Sequence, residues 1–198
     1  KLEVHRRLES FTRVSQLIFA FTIPASLGIY ALAPDIVHTL YGTRWLPMAP
    51  IVSVLALYAL IRSFETVGSP LFMGIGKPKI TTIALFVQCV MMALLLPLFL
   101  VKFSTVGAAW AMLASGFASA LVYIIALFRE NLLCIRGIVR LVIAPLLSGL
   151  VMVTAINLAK HLISAQNIFT LLSYVLFGGG VYFAMLWCAD MLFGGNIF

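Results

Sequence analysis

The sequence predicts an all-α fold, a polytopic membrane bundle of about six transmembrane helices. Three observations predict it. Of 198 residues, 63% are hydrophobic and only 10% charged, whereas a soluble domain is about half apolar and a quarter charged. Such a chain has too little polar surface to cover a water-soluble globule. Runs almost free of charge recur at about 20 residues, the length that a hydrocarbon core of ~30 Å demands at ~1.5 Å per residue. The runs are built from Leu, Ala, Ile and Val with interspersed Gly, and lack the period-2 alternation of an outer-membrane barrel. Helices are then the remaining way to satisfy backbone groups in lipid.

The elements follow in order. Residues 1–13, "KLEVHRRLESFTR", carry Val4, Leu8 and Phe11 at helical spacing opposite a charged face, the pattern of an interfacial lead-in. The charge spread along this segment does not suit a signal peptide, and a piece of a longer protein is expected. Spans are expected at about 14–34, 47–74, 80–101 and 105–128 in a membrane bundle covering 1–130. An additional pair is expected at about 138–159 and 165–189, within 131–198. Pro24 and Pro97 sit inside spans and should kink them by removing a backbone bond. The fourth span sets Gly107, Ala111, Ser115 and Ser119 four residues apart, one face on which a neighbouring backbone can approach closely. Gly178, Gly179 and Gly180 in the sixth span suggest close packing, with a hinge as the alternative.

Loop charges give an orientation. Lys1, Arg6, Arg7, Arg13, Lys77, Lys79, Arg129, Arg136 and Arg140 fall on one side, and Arg44, Lys102 and Lys160 on the other. The positive-inside rule makes the first side cytoplasmic, with both ends of the segment there. The formal net charge of +7 then reflects topology and attraction to anionic lipid, not nucleic acid. Arg129, Arg136 and Arg140 share one helical face, and with Lys77 and Lys79 they are candidate headgroup contacts. "GIGKPK", residues 74–79, lacks the spacing of a phosphate loop and has no strand before it; it is a short turn.

Catalytic and metal chemistry find no support. Cys89, Cys134 and Cys188 are scattered, His5, His38 and His161 lie at or beyond span ends, and Asp35 and Asp190 fall on opposite sides. No enzyme activity and no cofactor are expected.

One stretch breaks the apolar pattern. "YALIRSFETVGSP", residues 58–70, places Arg62 and Glu65 near the middle of the second span. A charge there costs about 2.5–3.5 kcal/mol on insertion scales. Three readings stand side by side. The two could form a packing ion pair, although Arg before Glu is the less favourable order. They could line a water-filled cavity in which Arg62 attracts an anionic substrate and Glu65 tunes it or binds a coupling ion. Or a tilted span could let Arg62 snorkel to an interface.

Residues 10–130 resemble the C-terminal half of the bacterial oligosaccharide-lipid flippases of the multidrug/oligosaccharidyl-lipid/polysaccharide exporter superfamily. The resemblance is carried by Pro24-Ala25-Ser26, by Leu40-Tyr41-Gly42 with Trp45, by Ala49-Pro50, by Gly76-Lys77 in "MGIGKPK", and by "VGAAWAMLASGFASALVY". It implies two helical lobes around a central cavity in the bacterial inner membrane. It also implies alternating-access transfer of undecaprenyl-diphosphate-linked oligosaccharide to the periplasmic leaflet, for polysaccharide or lipopolysaccharide biosynthesis. The implied partners are that lipid-linked substrate, membrane lipids, H+ or Na+, and a missing N-terminal half. The alternatives are a cation-coupled multidrug antiporter of the same superfamily, a membrane-embedded sugar-lipid enzyme, or a scaffold subunit.

Overall fold

A computed structural model of the chain describes residues 2–130, 143–162 and 168–192, with side chains left undescribed at 2–13, 161–162, 189–190 and 192. The described residues form helices joined by short turns, with no strand among them. Helix α1 spans Leu2–Tyr41, a 3-10 turn Thr43–Met48, α2 Ala49–Gly74 and α3 Pro78–Arg129. Two further helices follow, α4 at Ala144–Leu162 and α5 at Ile168–Leu192.

The long α3 is two membrane spans rather than one rod. Its 52 residues contain one non-helical position, Ser104, at φ 52° and ψ −138°. Positive φ is uncommon for a residue with a Cβ, and here it turns the chain back on itself. Contacts across the break prove the reversal. The backbone at Gly107 lies against the Phe99 carbonyl, Ser115 Oγ lies 3.8 Å from Met92 Sδ, and Lys77 pairs with Glu130. Each pair is nearly symmetric about residues 103–104, as in an antiparallel hairpin. The limbs, 78–103 and 105–129, are each about 38 Å long at 1.5 Å per residue, enough to cross a bilayer.

The chain is therefore a multi-pass membrane protein. The segment Val14–Tyr41, α2 with the turn before it, both limbs of α3 and the segment Ile168–Cys188 are long and apolar enough to cross. The apolar part of α4, Ala144–Lys160, is shorter. One expected boundary moved where proline was given too much weight: helix α1 continues through Pro34 to Tyr41. Helix α2 runs through Pro70 and ends at Gly74, the expected end of the second span. A proline inside a helix removes one bond, which membrane helices tolerate when neighbours or hydroxyls compensate. The lead-in 1–13 is helical from Leu2 onward and continuous with α1. Arg136, Arg140 and Cys134 lie outside the described residues.

Glycine closes two of the turns. Gly42, at φ 85°, donates its N–H to the His38 carbonyl and ends α1. Gly76, at φ 75°, donates to Met73 O while Lys77 N donates to Phe72 O, the Schellman pattern that satisfies the last carbonyls of a helix. Pro78 then begins α3, where its missing N–H costs nothing. The motif "GKP" is thus a helix stop followed at once by a helix start.

Where α2 meets the α3 hairpin, packing follows the membrane rule of small residues between helices. Phe86, Val101, Phe169 and Trp187 are exposed, as suits contact with lipid. Helix α2 packs on α1 and on the α3 hairpin, whereas α4 and α5 pack on each other and on α1. The larger core joins Phe19, Ile23 and Leu27 of α1 to Met152 and Ile156 of α4 and to Tyr182 and Leu186 of α5. A smaller one joins Phe72 to Ala84, Tyr123 and Ala126 in the hairpin.

Among the three consecutive glycines, only Gly178 lies under a neighbour, Ile156 of α4; Gly179 and Gly180 have open space. A Cβ at Gly107 would fall 2.0 Å from the Phe99 carbonyl oxygen, a backbone atom that cannot swing aside. Gly107→Ala is expected to destabilise the hairpin by about 1–3 kcal/mol, the usual range for overpacking. Gly179→Ala should leave stability unchanged or slightly raised. Thermal unfolding of the two variants in detergent checks the contrast.

Candidate functional site

The two mid-span charges of α2 sit where that helix meets the α3 hairpin. Arg62 lies 13 residues from Ala49 and 12 from Gly74, near the helix centre and about 18 Å from either end. Tyr58 precedes it by one turn, so the two share a face. Arg62 Nη1 donates to the Tyr58 hydroxyl at 2.9 Å. Gln88 Nε2, from the first limb of α3, donates to the same oxygen at 3.2 Å. Tyr58 is held down by the second limb, where its ring covers Gly116.

Glu65 takes a different partner. Its Oε1 accepts a hydrogen bond from Ser119 of the second limb. Ser119 is 1% exposed and its Oγ is also 3.0 Å from the Gly116 carbonyl. A hydroxyl has one proton to give, so the two acceptors compete for it.

Arg62 and Glu65 consequently do not pair with each other. Among the described residues the ion pairs are Lys77–Glu130 and Lys160–Asp35. Arg62 is exposed, and one of its five donors reaches Tyr58. No carboxylate among the described residues lies within ion-pair distance of it. Glu65 is half-buried against the second limb. The arrangement can offer a cationic fork to an anion while keeping a carboxylate close by. Among the described residues no group of three His, Cys, Asp or Glu is close enough to share a metal.

Tyr58, Gln88 and Ser119 were not singled out as site residues from the sequence. Ser119 was visible only as one position of the small-residue face. That face is buried throughout, at Gly107, Ala111, Ser115 and Ser119, and serves helix approach as its spacing implies. One position on it also carries a hydrogen bond to a mid-span carboxylate, which spacing could not show.

The remaining basic candidates lie at the bundle end holding the α2–α3 turn. Lys77 is paired with Glu130 across the foot of the hairpin. Lys79 and Arg129 are exposed there. At the opposite end, Lys160 of α4 pairs with Asp35 of α1 and donates to the Ala31 carbonyl at 2.6 Å. Asp35 is therefore tied to a cation 125 positions away in sequence.

Known proteins agree with this architecture. No family model matches the chain. A solved lipid II flippase, MurJ in an inward closed conformation, superposes with a TM-score of 0.71 over 92% of the chain at 20% identity. The chain shares its fold with part of that structure. The chain covers 38% of that structure. A membrane protein of Klebsiella pneumoniae, described as uncharacterized and in a cps region, is 24% identical over 174 residues, 87% of this chain. The chain spans 36% of that relative's length.

Opposite charges in a partly exposed pair are worth about 1 kcal/mol or less at most surfaces. The Asp35–Lys160 pair also closes α4 onto α1. Asp35→Asn and Lys160→Met should each lower the melting temperature, and the double variant should lose less than the two losses added. A double-mutant cycle in detergent measures that coupling.

Proposed function

We propose that the chain forms part of an exporter that moves undecaprenyl-diphosphate-linked oligosaccharide from the cytoplasmic to the periplasmic leaflet by alternating access. The observation that carries this reading is Arg62, a cation at mid-helix with no carboxylate partner among the described residues. A charge at that depth outside an ion pair is costly, and water and an anionic ligand would stabilise it. A diphosphate suits it, because a guanidinium donates two parallel hydrogen bonds to phosphate oxygens. The flippase fold and a relative from a cps region support a lipid-linked substrate and a place in polysaccharide biosynthesis.

Glu65 tunes this cation or carries the coupling ion, H+ or Na+. Ionised, Glu65 accepts the Ser119 proton. Protonated, it donates to Ser119 Oγ, and the serine hydroxyl turns to the Gly116 carbonyl. Binding of a proton, though not of Na+, thus reverses a hydrogen bond at the contact of α2 with the second limb. That contact is the kind of bistable element that alternating access requires.

In this reading the protein lies in the bacterial inner membrane, with the Lys77–Glu130 end cytoplasmic by the distribution of Lys and Arg. Residues 1–130 belong to one lobe of the exporter, and 131–198 hold an appended pair, whose helices α4 and α5 pack on α1. The opposing lobe is supplied by sequence beyond this segment. Arg136 and Arg140 join Lys77, Lys79 and Arg129 as headgroup contacts.

Arg62→Ala in the complete exporter should lower surface glycan by about tenfold or more, the scale of losing a charged hydrogen-bonding partner. Arg62→Lys should recover part of it, because lysine restores the charge but not the fork. Glycan display is measured in cells lacking the wild-type protein, with membrane levels of each variant matched. Wild-type display in both variants would remove Arg62 from the transport path.

A further inference from the structure

A second binding feature lies at the foot of the α3 hairpin, away from Arg62. The ends of the two limbs part there around a cleft of about 350 Å³, at the small end of the range of about 300–1,000 Å³ usual for ligand sites. Its walls are Ile80 and Ile83 from the first limb and Val122 and Ile125 from the second, with Arg129 and Glu130 at the mouth. Ile83 and Ile125 are each 53% exposed, so the cleft opens on the surface of the bundle. The carboxylate of Glu130 is taken by Lys77. Arg129 is exposed and forms no ion pair among the described residues. Lys79, also exposed, stands next to Ile80 in the chain.

We infer that this cleft binds one anionic phospholipid of the surrounding bilayer. Its acyl chain lies along the four β-branched walls, and its headgroup phosphate sits on Arg129 with Lys79 nearby. The shape divides as such a lipid does, apolar along the limbs and cationic at the membrane-surface end. Basic pockets between transmembrane helices favour acidic headgroups for this reason. With Glu130 neutralised by Lys77, the mouth carries a net positive charge. The bound lipid bridges the two limbs at the end opposite Ser104, and so fixes the hairpin on which Gln88 and Ser119 are carried.

The test uses the purified chain in detergent, titrated with phosphatidylglycerol or phosphatidylcholine, with bound lipids counted by native mass spectrometry. Phosphatidylglycerol should be retained about fivefold more tightly, the scale of one basic side chain at a membrane surface. Arg129→Gln should abolish the preference, and Lys102→Gln, the same charge loss at the other end, should leave it intact. Ile83→Trp, which fills the cleft without altering charge, should weaken phosphatidylglycerol binding while Phe86→Trp does not. Equal retention of the two lipids would overturn the inference. So would a preference that survives Arg129→Gln, an equal loss in Lys102→Gln, or an Ile83→Trp variant that binds normally. Displacement of the lipid by inorganic phosphate alone would assign the site to free phosphate and overturn it as well.

Discussion

The close approach of α2 to the α3 hairpin is the contact on which the candidate site depends. It is possible because glycine stands at two points where an aromatic ring of the neighbouring helix comes close. Tyr58 lies on Gly116 and Tyr123 on Gly68, so each helix offers an aromatic ring to a gap in the other. Gly107 lets the two limbs of the hairpin meet backbone to backbone. In lipid no hydrophobic force drives helices together, so association rests on such packing and on interhelical hydrogen bonds. At this separation Ser119 reaches Glu65, and Gln88 reaches Tyr58. A bulkier side chain at Gly68 or Gly116 would push the helices apart and leave Glu65 without its partner.

The same contact separates the two mid-span charges. An arginine and a glutamate three residues apart on a lipid-embedded helix would ordinarily be expected to neutralise one another. Here Ser119 draws the carboxylate toward the second limb, while Tyr58, braced by Gln88, holds the guanidinium on its own face. The bundle thereby keeps a cation at mid-helix without cancelling it. That is energetically unfavourable in hydrocarbon and useful next to water or a phosphate. The ion pairs at the two ends, Lys77–Glu130 and Lys160–Asp35, have the opposite character, since each joins two segments and consumes both charges.

Much of this was legible in the sequence, for physical reasons. Span length is dictated by bilayer thickness, so apolar runs located the helices, including the break near residue 104 that separates the α3 limbs. A short turn at residues 74–79 was legible, but Pro78 starts α3 instead of ending the helix before it, because a proline at the first helical position loses no hydrogen bond. The four-residue spacing of Gly107, Ala111, Ser115 and Ser119 placed them on one buried face. Arg62 and Glu65 stood out because charge at that depth is rare. Their partners were not legible. Gln88 lies 30 positions from Tyr58, and Ser119 lies 54 from Glu65. Nothing local in a serine or glutamine tells which distant helix it will face. Asp35 looked isolated for the same reason, its cation being supplied by α4.

The central claim is that Arg62 faces water inside the membrane rather than lipid or packed protein. Its most direct test is thiol accessibility. Cysteine is placed at position 62 of the full-length protein, with Cys89, Cys134 and Cys188 replaced, and membranes are treated with a charged, membrane-impermeant thiosulfonate. The account predicts rapid modification, slowed when lipid-linked oligosaccharide accumulates. A position 62 thiol inert to the charged reagent but labelled by a lipophilic maleimide would contradict it.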